Sequence, residues 1–325
     1  MQTATLGSIG RVSRLTLGGG GIGQVWGDTS REEAIAALRL AVEEGIDVID
    51  AAPGYKVCEE LIGEAFDGRL PEGVRITTKC GVVSTPPGEV YGKLRASLEK
   101  SLEDMRLETV DLMFLHNEIS PDDFVYPEGN EKRGEFASTW SVYREAIIPA
   151  FERLVSEGLI GAWGITGVSV PEAILKALSE EPRPAVVQAV ANLLDSPGGL
   201  MRRGMAPKQR SREIIAAAAA QGVGVMGIRA VQAGALTDRF DRPMDADNQD
   251  LPDFNRAAPF RDLCRHWGES PAIVAHRYAL AMEGVDTVVL GVKNVAELRE
   301  ALAAEAAGPL EAERVATIDA LGLRT

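Results

Sequence analysis

Asp50, Tyr55, Lys79 and His116 are residue types that can move a proton to and from an oxygen. A phenol has an ordinary pKa of about 10, too high for ready proton exchange at neutral pH. A lysine ammonium held beside it by a carboxylate would lower that value. Such a tyrosine donates a proton to a carbonyl oxygen that is receiving a hydride, and takes it back in the reverse direction. A nearby histidine orients or polarises the same oxygen. Each residue alone has an ordinary explanation. An aspartate after a strand serves as a turn residue or helix cap, a loop tyrosine sits on a rim, and a strand lysine pairs with a neighbour. The chemistry requires all four to converge, so the elements that carry them decide the matter.

Those elements alternate. Short β-branched runs precede longer amphipathic stretches, the pattern of a parallel sheet built from βα units. Thr3–Leu6 and Arg11–Arg14 flank Gly7-Ser8-Ile9-Gly10 as a hairpin. Strands are then expected at Leu15–Leu17, Asp47–Asp50, Val74–Lys79, Val110–His116, Ile160–Thr166, Ala185–Val190, Val223–Ile228 and Thr287–Leu290. A helix follows each, the first capped by the box Ser30-Arg31-Glu32-Glu33 and stopped by Gly45. The others are read at Cys58–Phe66, Gly88–Met105, Ser141–Glu157, from Pro171, Arg210–Gln221, Ser270–Met282 and Val295–Ala304, with one more at 309–321. Eight strands and eight helices in register predict a (β/α)8 barrel of class α/β over residues 1–325, one domain with no linker. The surplus length falls at 117–140 and 229–269, both loops at the C-terminal face where barrels build active sites. Polar residues at strand ends point into that mouth: Asp50, Lys79, His116, Thr166 and Gln188, with Tyr55 five residues past Asp50. The first insertion carries Asp122, Asp123, Glu128, Glu131, Lys132, Arg133 and Glu135 and is expected to behave as a lid that orders on binding.

The string Gly45-Ile46-Asp47-Val48-Ile49-Asp50-Ala51-Ala52-Pro53-Gly54-Tyr55, followed by Glu59-Glu60-Leu61-Ile62-Gly63, resembles the aldo-keto reductase signature. Ile76-Thr77-Thr78-Lys79 and Asp111-Leu112-Met113-Phe114-Leu115-His116 resemble its next two blocks. The resemblance implies a catalytic tetrad of Asp50, Tyr55, Lys79 and His116, and an NAD(P)H-dependent enzyme that interconverts a carbonyl (aldehyde, ketone or sugar) and an alcohol without a metal. It implies NADP(H) as cofactor, with NAD(H) also accepted. Thr166 and Gln188 stand where the nicotinamide carboxamide is held, although Gly167 replaces the expected asparagine. Ile228 replaces the ring that stacks on the nicotinamide, and Arg229 with the backbone of Gly234-Ala235-Leu236 would meet the pyrophosphate. Gly291, Lys293, Glu297 and Glu300 resemble the block that grips the adenosine phosphate, with glutamate at 297 where relatives have Arg or Gln. Gly18, Gly20 and Gly23 would let cofactor and substrate approach the floor. Trp26, Asn117 and Trp140, above the first and fourth strands, would line the substrate. A nucleotide-binding regulatory subunit with little turnover is the alternative function.

Composition narrows the remaining classes. The 325 residues include 34 Lys+Arg against 48 Asp+Glu, a formal net charge of −14, which disfavours nucleic-acid binding. No stretch approaches the roughly 20 apolar residues of a membrane span, and the N-terminus lacks the pattern of a signal peptide, so a cytoplasmic monomer or small homo-oligomer is expected. Cys58, Cys80 and Cys264 read as reduced, inert thiols, and His266 and His276 as structural. Gly18, Gly20 and Gly23 satisfy G-x-G-x-x-G, but the helix cap Ser30 lies seven residues beyond Gly23, whereas a dinucleotide fingerprint has its third glycine inside the helix. A glycosidase barrel would need a second catalytic carboxylate and would leave Lys79 without a task.

Overall fold

A computed structural model describes residues 1–127, 129–200, 209–240 and 242–325. The chain opens with β1 (Thr3–Thr5) and β2 (Arg11–Ser13), an antiparallel hairpin. Then come β3 (Leu15–Gly18), the short helix α1 (Gly19–Ile22), α2 (Arg31–Glu43), β4 (Val48–Asp50), α3 (Cys58–Phe66), β5 (Arg75–Cys80), α4 (Val90–Met105) and β6 (Val110–Leu115). The first insertion holds β7 (Glu118–Ser120) and β8 (Ala137–Thr139) and runs into α5 (Trp140–Val142), which a π turn at Tyr143–Ile147 joins to α6 (Ile148–Ser156). There follow β9 (Ile160–Thr166), α7 (Pro171–Ser179), β10 (Val186–Val190), α8 (Ser211–Ala220) and β11 (Gly224–Ile228). The second insertion carries α9 (Leu251–Arg256) and α10 (Ala258–Trp267) before α11 (Pro271–Ala281), β12 (Thr287–Leu290), α12 (Val295–Ala306) and α13 (Ala312–Asp319).

Among the described residues, β3, β4, β5, β6, β9, β10, β11 and β12 close into a parallel barrel in that order. Register fixes which side chains face inward, because side chains alternate along a strand and paired residues share a face. Gly18 pairs Asp50, Asp50 pairs Thr77, Lys79 pairs Phe114, and Thr166 pairs Gln188. Val48, two residues before Asp50, therefore shares its inward face. The lower barrel interior is apolar: Val48, Leu112, Phe114, Val186 and Met226 pack with Leu6 and Val12 of the hairpin. The hairpin thus plugs the N-terminal end. Gly7 permits this, since a Cβ there would come within 2.6 Å of the Gly224 nitrogen. Above the apolar layer lies a polar one of Asp50, Thr77, Lys79 and Gln188, all buried.

The start of α2 follows its capping residue. Ser30 accepts from the Glu33 nitrogen at 3.1 Å, as its position in the sequence implies. The reciprocal half of the expected box is absent, because the Glu33 carboxylate instead accepts from the Val295 nitrogen at 3.0 Å and ties α2 to α12. The insertions depart most from expectation. β7 and β8 are three residues each and pair in parallel, too short for periodicity to reveal. Ser169 fastens β7 to the start of α7, donating to the Ile119 carbonyl and accepting from its nitrogen. Both ends of the 117–140 segment are thereby anchored to the barrel; Glu128 within it lies outside the described residues. Among the described residues no helix is long and apolar enough to cross a membrane.

Candidate active site

The C-terminal mouth of the barrel opens into a cavity of about 680 Å³. At its floor, Lys79 donates to Asp50 Oδ2 at 2.7 Å and to the Ala51 carbonyl at 2.8 Å. Thr77 and Gln188 each donate to Asp50 Oδ1, at 2.7 and 2.8 Å. The carboxylate is thus satisfied on both oxygens, as a buried charge must be. The Lys79 ammonium lies 4.5 Å from the centre of the Tyr55 ring. The rings of Tyr55 and His116 meet edge to face with centroids 6.0 Å apart. Asp50, Tyr55 and His116 border the cavity, whereas Lys79 lies beneath it, 1 % exposed. The four residues converge.

Burial dominates the electrostatics. It raises the Tyr55 phenol above its ordinary value, and Lys79 only partly offsets this by charge and hydrogen bonding. The net depression that the sequence suggested does not occur, so Tyr55 keeps its proton at neutral pH. Lys79 loses solvation by burial, yet Asp50 and Tyr55 together more than compensate and its pKa rises, which keeps it cationic. His116 is open to the cavity but enclosed on its other sides; desolvation first, then the Lys79 charge, lower its pKa to about 4. At neutral pH the site therefore holds a neutral phenol, a neutral imidazole and one balanced ion pair.

The other expected contacts sort into several kinds. Gly20, Thr166, Gln188, Ile228, Gly234, Gly291, Glu297 and Glu300 all border the cavity. Thr166 donates to the Leu115 carbonyl at 3.2 Å, leaving its oxygen to accept from a ligand. Arg229 also borders the cavity, with most of its guanidinium engaged inside the protein. Its side chain, 5 % exposed, is held by Asp250 and by Gln232, whose Oε1 accepts from Nε at 3.0 Å. Leu236 is fully buried, and its nitrogen donates to Val231 within the turn, as does that of Gly234. Lys293 donates to Glu297 Oε1 at 2.6 Å, so these two opposed charges offset each other.

Trp26 borders the cavity above the first barrel strand, whereas Trp140 departs from its expected place. Trp26 lies over Gly20 and Gly291, with the guanidinium carbons of Arg229 and Arg242 each 5.8 Å from its ring, on the β11–β12–β3 side of the mouth. Trp140 does not border the cavity; it packs on Tyr143, with Lys176 above its ring. Asn117 does border it, but its amide is used internally, accepting from the Val82 nitrogen at 2.9 Å and donating to Ser138 and the Glu118 carbonyl. The glycines also serve the protein more than a ligand. A Cβ at Gly23 would strike the Tyr55 carbonyl, one at Gly21 the Val292 carbonyl, and one at Gly20 would come within 2.9 Å of Trp26 Nε1. Cys58, Cys80 and Cys264 are free, buried thiols.

Sequence reading missed three participants. Thr77 was detectable as the residue two before Lys79, on the same strand face. Asp250 had no local sign, since it meets Arg229 across 21 residues of loop. His276 was read as structural, yet it borders the cavity beside Ser270.

The fit to a dinucleotide rests on shape and donor set. The cavity runs without interruption from Tyr55 to Glu300, and Thr166 and Gln188 offer acceptors beside the tetrad. Among the described residues no three His, Cys, Asp or Glu side chains gather to hold a metal ion.

The model of the aldo/keto reductase family matches residues 14–322. L-galactose dehydrogenase of Arabidopsis thaliana is 25% identical over 319 residues, covering 94% of this chain and 88% of its own. D-threo-aldose 1-dehydrogenase of a Pseudomonas species is 23% identical, covering 89% and 88%. Among solved structures, the holo form of an aldo-keto reductase from Bacillus halodurans superposes with a TM-score of 0.72 at 22% identity, covering 99% of this chain and 96% of its own. An aldo-keto reductase from Klebsiella pneumoniae, in complex with NADPH, gives a TM-score of 0.68 at 20% identity, covering 100% and 97%.

Proposed function

The chain belongs to the aldo/keto reductase family of oxidoreductases, and on that premise we propose that it interconverts a small polar carbonyl compound and its alcohol, with Tyr55 as general acid and base. The observation that carries this reading is the buried Lys79–Asp50 pair set against the Tyr55 ring at the cavity floor, with neutral His116 beside it. NADP(H) is the cofactor by likeness to the Klebsiella neighbour, and NAD(H) is also accepted. Thr166, Gln188 and Ile228 would hold the nicotinamide end, and Glu297 and Glu300 the adenosine end. When bound, the cofactor supplies or accepts the hydride.

The chain's own residues do the proton work. Tyr55 donates its phenolic proton to the carbonyl oxygen as negative charge builds there. The phenolate left behind is stabilised by the adjacent Lys79 ammonium, which Asp50, Thr77 and Gln188 hold in place. His116, neutral because its pKa is near 4, offers a polarised ring N–H to the same oxygen without competing for the proton. In the oxidative direction each step reverses. The polyhydroxylated substrates named for L-galactose dehydrogenase and D-threo-aldose 1-dehydrogenase make aldoses the first candidates.

The test is steady-state turnover of a panel of aldoses and short aldehydes with each cofactor. Cofactor-dependent turnover supports the reading. Tight cofactor binding with no turnover across the panel would favour the regulatory-subunit alternative.

A further inference from the structure

Helix α3, which follows Tyr55, carries a carboxylate that the cavity does not use. Glu59 lies in its first turn and is buried, away from the cavity wall. Hydroxyls meet this carboxylate: Thr78 donates to Oε1 at 2.6 Å, and Ser101 of α4 bonds it as well. Burial raises its pKa above the ordinary carboxylate value, and these hydroxyls only partly offset the effect. A carboxyl group in such a place costs hydration that an apolar side chain of similar size would not lose. Its use must therefore lie in what it fastens.

Thr78 stands between Thr77 and Lys79 on β5, and alternation along the strand turns it to the opposite face. Inward, Lys79 donates to the Ala51 carbonyl at 2.8 Å. Outward, Thr78 donates to Glu59. Adjacent residues of one strand thus grip the two ends of segment 51–59, and Tyr55 lies at its middle. The segment needs both grips. Lys56, next to Tyr55, takes φ of 50° and ψ of −111°, a conformation unfavourable for a residue with a side chain. Backbone of this kind persists only where its surroundings fix it.

We propose that Glu59 is a positioning residue for the proton transfer: by accepting from Thr78 it fastens the far end of the Tyr55 segment to β5, and so keeps the phenol over the Lys79 ammonium. The inference rests on Tyr55 as the proton donor, and goes beyond it in giving a carboxylate outside the cavity a part in that step. The 4.5 Å between the Lys79 ammonium and the Tyr55 ring centre is the distance that this fastening sets.

The test is kcat and KM for an aldose or short aldehyde that the wild type turns over, with cofactor affinity measured on the same proteins. Glu59→Leu should lower kcat by at least about tenfold, since misplacing a reacting group by about 1 Å can cost roughly 10²-fold. Substrate KM and cofactor affinity should stay near wild type. Thr78→Val removes the donor while keeping the shape, and should reproduce the loss; it carries the test if Glu59→Leu fails to fold. Glu59→Gln keeps an acceptor for Thr78 and should recover most of the rate. In a Tyr55→Phe background Glu59→Leu should cost nothing further, because residues that act through one group are not additive. An unchanged kcat in Glu59→Leu or Thr78→Val would overturn the proposal and leave the role of Tyr55 standing. So would a Glu59→Gln rate no better than that of Glu59→Leu, a further tenfold loss in the Tyr55→Phe background, or a matching loss of cofactor affinity. Near-normal turnover by Tyr55→Phe alone, or no turnover by wild type, would overturn the Tyr55 reading and this proposal with it.

Discussion

Lys79 is the residue on which the floor of the cavity depends. Its ammonium is fully buried and satisfies Asp50, while Asp50 in turn takes Thr77 and Gln188. Removing one partner of such a pair leaves an uncompensated buried charge, which costs about 3–5 kcal/mol. Lys79→Met should therefore lower the free energy of unfolding by that amount as well as abolish turnover, and urea denaturation measures the first effect. An unaltered midpoint would mean that the ion pair is not formed. His116 gives a prediction of opposite origin. Its folded pKa of about 4 lies below the ordinary 6.5, so between these values the unfolded chain binds the extra proton. Its contribution to stability therefore rises with pH across that window and is lost on acidification. Activity should accordingly show no limb near pH 6.5 from this residue, and pH–rate profiles of wild type and His116→Gln check it. Glu297 offers a third test. Replacing it with arginine removes the group that offsets Lys293, and should shift the kcat/KM ratio toward NADP(H) by roughly tenfold, about 1.4 kcal/mol.

At the scale of elements, the regular repeat was legible and the insertions were not. β9 and β12 occupy the residues their β-branched runs imply, and α3 spans Cys58–Phe66 as its apolar spacing predicts. β7 and β8 escaped because three-residue strands carry no period, and β7 is fastened by Ser169, 50 residues from Ile119. The role of Arg229 escaped for a similar reason: a guanidinium after a strand looks available until Asp250 folds back onto it. Arg229, Gln232 and Ala233 adopt left-handed φ of 65°, 47° and 50°, an unfavourable run for residues with side chains. The buried Arg229–Asp250 contact is what holds that run in place. Asp250→Asn should loosen this turn and weaken cofactor binding several-fold, with substrate KM little changed; a fluorescence titration following Trp26 would report it. Excision of 122–134 between β7 and β8, by contrast, should alter KM and leave cofactor affinity intact. Loss of cofactor affinity in that variant would remove the insertion from the substrate side.

For the whole molecule, the barrel's own asymmetry directs the chemistry to one end. The hairpin fills the lower opening with Leu6 and Val12, and an apolar layer separates it from the polar floor. Among the described residues the cavity therefore opens at the C-terminal end, above Tyr55 and His116. The convergence of Asp50, Tyr55, Lys79 and His116 was readable because they lie at or just past the ends of three successive strands of a fold that repeats. Substrate contacts were less so, since they depend on loops whose pairing is long-range. The most direct measurement is Tyr55→Phe, which keeps the ring above Lys79 and removes only the proton. Reduction of an aldose or short aldehyde should fall by at least the roughly 10²-fold expected for lost general acid catalysis, with cofactor affinity unchanged in the same preparation. A Tyr55→Phe protein that retains near-normal turnover would contradict the assignment of Tyr55 as the proton donor.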